Sequence, residues 1–412
     1  MSTWAPEWRV KIDGVEVTDT VLTDLTFSAG RSNIYEQAQA SYTNVSLLNV
    51  GDVVQEFNIY EQITIEIKDS TATFIPIFGG YITDVARTIS STGRIQFTET
   101  ITILAVGAIH RLQRATTAGV LSKDFDGEQI YTILSEILFA QWQNVAPALT
   151  WGTYDPAQTW EEAANSGLGE IDRPGDYELA ARSSSITTIY DLVTFLATSG
   201  LGFIYEDAQG RISYADSTHR AQYLATNGYV DLDATQALGI GLRTTVRAGD
   251  VRNKVTITYK NGQEESAEDL ASQATYGVLG QNIITSIEND YAAQDQADFY
   301  LTLRANPQPN FDSTTFQLAN PELDDTDRDA LLNVSMGSAI NLVNLPQSMG
   351  VSFQGFVEGW TMRAGIKSLA ITLTMSPISF SLQAFRWNSV PASEAWNTIS
   401  ATLDWENATI VA

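Results

Sequence analysis

The chain contains no cysteine. That excludes disulfides, thiolate nucleophiles and thiolate metal sites together, and it suits a reducing cytoplasm. Histidine is nearly as scarce, with only His110 and His219 present. A catalytic triad or an imidazole metal site needs a histidine in a partnered setting. Neither stands in an H-x-x-x-H or G-x-S-x-G context, so structural or surface roles are expected for both. Positive charge is also short: 23 Lys and Arg against 49 Asp and Glu leave a formal net charge of −26. With no clustered basic run, a surface that grips DNA or docks on an anionic membrane is not expected. No segment approaches the roughly 18 apolar residues of a spanning helix. The start, "MSTWAPEWRVKIDG", has no apolar signal core, so neither membrane insertion nor signal-led secretion is expected.

Phosphate loops are missing too. Gly200-x-Gly202 and Gly239-x-Gly241 lack the third glycine of a dinucleotide fingerprint, with Tyr205 and Thr244 where it would fall. The acidic run "ELDDTDRDA" alternates Asp325, Asp327 and Asp329 as a calcium loop does. It has Ala330 in place of the loop glycine and Met336 in place of the final Glu. A helix N-terminus rich in acids explains it better. No catalytic residue, cofactor or metal site is expected.

What is present is β-rich. Apolar residues make up 44% of the 412 residues and charged ones 17%, a globular balance over a length that calls for about two to four domains. From residue 8 to 112, short alternating runs are punctuated by turns. Asp13-Gly14 reads as a tight hairpin, and Ile63, Ile65 and Ile67 alternate with Thr64 and Glu66 as one buried and one wet face. The period then becomes helical, with Ile130, Ile133, Leu134, Ile137, Leu138 and Trp142 on one stripe and Asp126 with Gln129 as a capping box. A loop rich in Gly, Pro and acids follows to about 183. A second helix is expected near 185–199, with Ile186, Ile189, Val193 and Leu196 on one face and Gly200 as its left-handed stop. Two short strands around "DAQG", Phe203–Glu206 and Arg211–Tyr214, complete the module "LVTFLATSGLGFIYEDAQGRISYAD". Strands resume at 251, a helix covers 291–304, and a second β block ends near 377.

Several stretches together resemble the hub proteins of bacteriophage tail tips, also called minor tail or baseplate hub proteins. They are "VKIDGVEVTDTVLTDLTFSAGR", "SYTNVSLLN", the module just quoted, "VRNKVTITYKNGQEESAEDLASQATYG", "DQADFYLTLRANPQP" and "VEGWTMRAGIKSLAITLTMSP", in that order. The resemblance implies a mainly β chain of two small β-barrel-like tube domains interrupted by helix-containing insertion domains. Residues 1–112 would be the first tube domain and 113–245 an α+β insertion. The second tube domain would be discontinuous, 246–262 plus 310–383, with 263–309 a small helical insertion and 384–412 a C-terminal arm. The hairpin of the quoted module would help form an external scaffold.

The function so implied is structural and non-enzymatic. A homotrimer would place six tube domains in a ring that joins a six-fold tail tube to a three-fold tip, passing DNA through its centre without specific binding. Its partners would be the distal tail protein, other tail-tip proteins and the tape-measure protein. Its location would be the distal end of the virion tail, after synthesis in the host cytoplasm. Trp387, Trp396 and Trp405, nine residues apart in the arm, are candidate interface anchors against the alternative of a tail folded over its own barrel. A rival reading is a carbohydrate-active enzyme or glycan-binding tail protein. It would use the loop 151–178, where Trp151 and Trp160 stand near Glu161, Glu162, Glu170, Asp172, Asp176 and Glu178.

Overall fold

The structure is a computed structural model that describes residues 4–50, 54–91, 97–140, 171–237, 242–307, 310–350 and 352–378. The arm with Trp387, Trp396 and Trp405 lies outside these residues, as do Trp142, Trp151, Trp160, Glu161, Glu162 and Glu170.

The first block holds seven strands: β1 (Trp8–Ile12), β2 (Val15–Glu16), β3 (Thr20–Gly30), β4 (Gln39–Asn49), β5 (Gln62–Lys68), β6 (Phe74–Ser91) and β7 (Phe97–Val106). Asp13 (φ 48°) and Gly14 (φ 78°) are both left-handed, so the two-residue turn between β1 and β2 is of the primed type that suits a twisted hairpin. Ile63, Ile65 and Ile67 are buried as the alternation predicts. Glu66 is not wet: it is buried under Arg9 and Lys11 of the neighbouring strand, which neutralise it.

The chain continues through helices α1 (Ile109–Arg114), α2 (Asp126–Ala140) and α3 (Ile189–Ser199), then the hairpin β8 (Phe203–Glu206) and β9 (Ile212–Ala215), then α4 (His219–Asn227). Next come β10 (Val230–Asp233), β11 (Leu242–Thr245), β12 (Lys254–Tyr259), β13 (Gln263–Glu268), α5 (Leu270–Tyr276), β14 (Gly280–Ile284) and α6 (Asp290–Arg304). The second block closes the described chain with β15 (Asn310–Gln317), α7 (Asp325–Leu332), β16 (Ala339–Val343), β17 (Phe353–Gly365) and β18 (Ser368–Pro377).

The architecture is mainly β with helical insertions, and the two blocks share one 13-stranded sheet. Its order is β11-β15-β18-β17-β3-β4-β7-β6-β5-β1-β2, with β16 on β17 and β10 on β16. The join is the antiparallel pair β3·β17, from Asp24↔Gly365 to Gly30↔Gly359. Two placements differ from the sequence reading. Strand β12, expected in the second tube domain, pairs instead with β13 and β14 in a separate three-stranded sheet covered by α6. Conversely, β10 and β11, expected in the insertion, join the main sheet, where Leu232 is in its core and Leu242 packs against it. Alternation marks a strand but does not name its partner.

Helix boundaries show the same division between local and distant causes. Thr188 caps α3 by accepting the Asp191 amide (3.1 Å), so the helix starts at Ile189 and Ile186 stays outside it, 74% exposed. Gly200 ends the helix at φ −89° and is not the left-handed residue, which is Leu201 (φ 55°). Gly200 supplies room: a Cβ there would sit 2.5 Å from the Asp126 carboxylate. Asp126 and Gln129 form no capping box either. The Gln129 amide donates to the Ser122 and Ala180 carbonyls, and the Asp126 carboxylate faces Tyr177 and Tyr214. Both side chains are buried, and tertiary partners displace the local ones.

Candidate functional site

The hairpin β8–β9 was expected in an external scaffold, and the structure places it inside the molecule. All eight of its strand residues are buried. Side chains alternate along a strand, and here each face enters a different core. Phe203, Tyr205 and Ala215 join the core of the main sheet, whereas Ile204, Ile212 and Tyr214 join that of α1, α2, α3, α6 and β12. The hairpin is a septum between two cores. Its tip, Asp207–Gly210, lies on β6, where two glycines meet face to face. A Cβ on Gly79 would sit 2.1 Å from the Gln209 carbonyl oxygen, and one on Gly210 would sit 2.2 Å from that of Gly79.

The seam between the blocks is held by a buried charge. In β17, Glu358 is the extra residue of a β-bulge between Val357 and Gly359, where that strand changes neighbour from β16 to β3. It is 1% exposed. Arg31, just past β3, donates to it at 2.6 Å, and Arg220 of α4 donates through both Nη atoms at 2.9 and 2.8 Å. Ser376 of β18 adds a hydroxyl. Both guanidiniums lie on Phe203 of the septum, at 5.0 and 4.8 Å from its ring centre. Burial works to raise the Glu358 carboxyl, but the charges of Arg220 and Arg31 outweigh it and hold the group at about 2.

A second set of carboxylates, Glu206 and Asp126 buried and Asp216 half-buried, lacks such guanidiniums. Glu206, at the end of β8, accepts from the Ser41 amide (2.9 Å) and hydroxyl and from the Ile109 amide at the start of α1. Burial pushes it to about 7 despite these bonds. Asp126 accepts from the Tyr177 amide (2.8 Å) and the Tyr214 hydroxyl, and burial pushes it to about 7 as well. Asp216 accepts from the Thr218 amide (2.8 Å) and the His219 amide (3.0 Å); burial, then Asp172, raises it to about 6. His219 meets Asp172 through Nδ1 at 2.6 Å with its ring 3% exposed. That pair has the chemistry of a catalytic dyad but no access for a substrate, so it works as a tertiary tie.

In the described part of the acidic loop, Asp172 and Asp176 both reach the turn before α4, whereas Glu178 points elsewhere. Asp172 goes to His219, Asp176 to Ser217, and Glu178 to Lys123 at 3.0 Å. His110 lies at the surface side of Tyr81, lowered by burial and by Arg114. Asp324 caps α7 by accepting the Asp327 amide, with Asp325 and Asp327 in the first turn, the acidic N-terminus read from the sequence. Sequence reasoning passed over Glu358, Glu206, Arg31 and Arg220. The available signal was an acid at the end or centre of an apolar run, "FVEGW" and "GFIYE".

Opposite the core, the main sheet presents a continuous polar wall. Cross-strand register carries it over the join without a break. One row reads Thr315–Thr372–Thr361–Ser28–Tyr42, from β15 to β4. The next reads Gln317–Ala370–Arg363–Thr26–Asn44–Leu104–Asp84, and a third Ser368–Gly365–Asp24–Ser46–Thr102–Ala86. Every one of these residues is at least partly exposed. Hydroxyls pair along the rows, Thr315 with Thr372 at 2.8 Å and Ser46 with Thr102 at 3.2 Å.

No family model matches the chain, and no curated protein sequence matches it. Solved structures do match along most of its length. It is similar to the tail protein of Neisseria meningitidis MC58 with a TM-score of 0.59 and 12% identity, covering 90% of this chain and 97% of that one. It is similar to the 43 kDa tail protein of prophage MuSo2 from Shewanella oneidensis with a TM-score of 0.55 and 10% identity, covering 91% and 99%. The two blocks, the shared sheet and the helical insertions are therefore the fold of these bacterial and prophage tail proteins.

Proposed function

We propose that the protein is a structural, non-enzymatic hub of a phage tail tip. Three copies would form a ring whose six β blocks continue a six-fold tail tube and meet a three-fold tip. The polar wall carries this reading. A channel for DNA needs a long, smooth surface without clustered cations, since each Lys or Arg on a phosphate adds salt-dependent grip. The three rows offer mainly small hydroxyls and amides, interspersed with Ala370, Leu104 and Ala86, and carry one cation, Arg363, to two acids, Asp24 and Asp84. The wall is also continuous across the two blocks, as a tube lining must be. The charged seam at Glu358 keeps those blocks in register. Neighbours of such a ring would be the distal tail protein, the tape-measure protein and other tip proteins, and its place the distal end of the virion tail.

The glycan reading has no support from the described acids Asp172, Asp176 and Glu178, each of which is engaged in a tertiary contact. Negative-stain imaging with light scattering over a concentration series tests the hub. Three-fold rings with a central hole, at roughly three times the 45.1 kDa chain mass, are expected. A compact monomer at every concentration, including with a tail-tube neighbour present, would sink it.

A further inference from the structure

Among the described residues the main sheet ends in two edges of opposite charge. At one end is the β1–β2 hairpin, where Asp13, Glu16 and Asp19 are exposed around Val15, itself 71% exposed. At the other end β11 is the last described strand. There Arg243 and Arg247 are exposed around Val246, 63% exposed. Beside Arg247 opens a cleft of about 370 Å³ that Arg252 and Arg304 also line. Arg252 donates to the carbonyls of Gly249 (2.6 Å) and Val251 (2.7 Å). Arg304 donates to the Asp250 carbonyl (3.1 Å) and the Gln281 amide oxygen. Among the described residues neither makes an ion pair with a carboxylate, although acids outnumber bases 49 to 23 in this chain. The cleft also holds Asp250, Glu36 and Glu358, the last already paired with Arg31 and Arg220, so it is a mixed site in which Arg247 and Arg252, and not the buried Arg304, offer the accessible positive charge.

We propose that the acidic β1–β2 hairpin of one copy docks at the β11 edge of the next, placing its carboxylates against the arginine cleft. This rests on the ring reading and specifies its contact. An unpaired strand edge is a template for another strand and is normally covered. Two different edges on one chain give a head-to-tail contact, which closes into a ring when the rotation fits. Complementary charge sets the direction, since acidic tip against acidic tip and arginine against arginine both repel. The exposed valine on each edge supplies apolar area between the charges. A nucleic acid is a poorer occupant, because the field of a −26 chain repels it on approach.

The test is charge reversal on the full chain, read by light scattering and imaging at low and high salt. Glu16→Lys with Asp19→Lys reverses the exposed tip, and Arg247→Glu with Arg252→Glu reverses the cleft; circular dichroism confirms that each variant folds. Wild type should form rings that weaken with salt. Each reversal alone should weaken association about tenfold or more, and both in one chain should restore it. Glu16→Lys alone, on an extended and exposed strand residue, stays informative if a paired variant fails to fold, since Asp19 sits at φ 59° where Lys is strained. Rings that persist unchanged in both single reversals would overturn this contact and leave the ring standing. A wild-type chain that stays monomeric throughout would overturn both. Loss of a bound duplex oligonucleotide on cleft reversal, with no change in association, would assign the cleft to nucleic acid and also overturn the proposal.

Discussion

Two buried acids, Glu358 at the seam and Glu206 on the septum, behave in opposite ways. Glu358 and Glu206 are both almost fully enclosed, at 1% and 8% exposure. Glu358 is held at about 2, whereas Glu206 is pushed to about 7. Burial raises both. The difference is what surrounds the carboxylate: two guanidiniums in one case, two backbone amides and a hydroxyl in the other. Neutral donors satisfy hydrogen bonds without repaying the loss of solvation that a full charge suffers. The seam is thus a fixed ion cluster, whereas the Glu206 carboxyl of the septum is raised to about 7 by burial.

The largest effect that would break the comparison comes from Glu358→Gln. It leaves two buried guanidiniums without a counter-charge and should destabilise the fold by about 3–5 kcal/mol in denaturant titration. A loss below 1 kcal/mol would mean that the cluster is solvated and the seam rests on strand pairing alone. Next comes Gly79→Ala, whose new Cβ meets the Gln209 backbone. It should cost about 1–3 kcal/mol by the same titration and free the hairpin tip, visible as faster amide exchange over 207–210. An unchanged midpoint would show that the tip yields easily.

The pH dependence sharpens the contrast because the two shifts have opposite signs. Glu358 is depressed from 4.5 to about 2, so its contribution is present above about 4.5 and is lost as pH falls toward 2. Glu206 and Asp126 are raised, from 4.5 and 3.8, to about 7. Their contribution is full below those ordinary values and is lost as pH rises through 7. Denaturation midpoints should therefore fall from pH 5 to pH 8 as well as below pH 4. Glu206→Gln should flatten the upper limb between pH 5 and pH 8, although its NH2 faces a backbone N–H that donated to the carboxylate, which lowers stability by about 1–3 kcal/mol at both pH values. An upper limb of unchanged slope in that variant would assign it to other groups. The smallest effect belongs to the wall, where Thr361→Val should change monomer stability by less than about 0.5 kcal/mol. A larger loss would show that the wall is packed against something and does not face solvent.

Much of the fold was legible. The Asp13–Gly14 turn, the buried isoleucine face of β5 and the described part of the α2 stripe, Ile130, Ile133 and Leu134, all follow from contacts within a few residues. The hairpin β8–β9 was also legible as a hairpin. That both its faces are buried was not, because an alternating strand and a doubly buried one differ only in what lies beyond the second face. The wall was readable strand by strand, yet its continuity depends on the register of β3 against β17, far apart in the chain. The candidate interface residues Trp387, Trp396 and Trp405 lie outside the described residues and stand as proposed.

The amino-acid sequence by itself determined the element types, the acid excess, the lack of a catalytic signature and the resemblance to tail hubs, since each depends on composition or short-range pattern. Only the tertiary structure decided where the hairpin sits and which acids are charged. Arg31 reaches Glu358 across 327 positions and Arg220 across 138. A carboxylate's state depends on desolvation and on the nearest charges in space, and neither quantity is a function of neighbours along the chain.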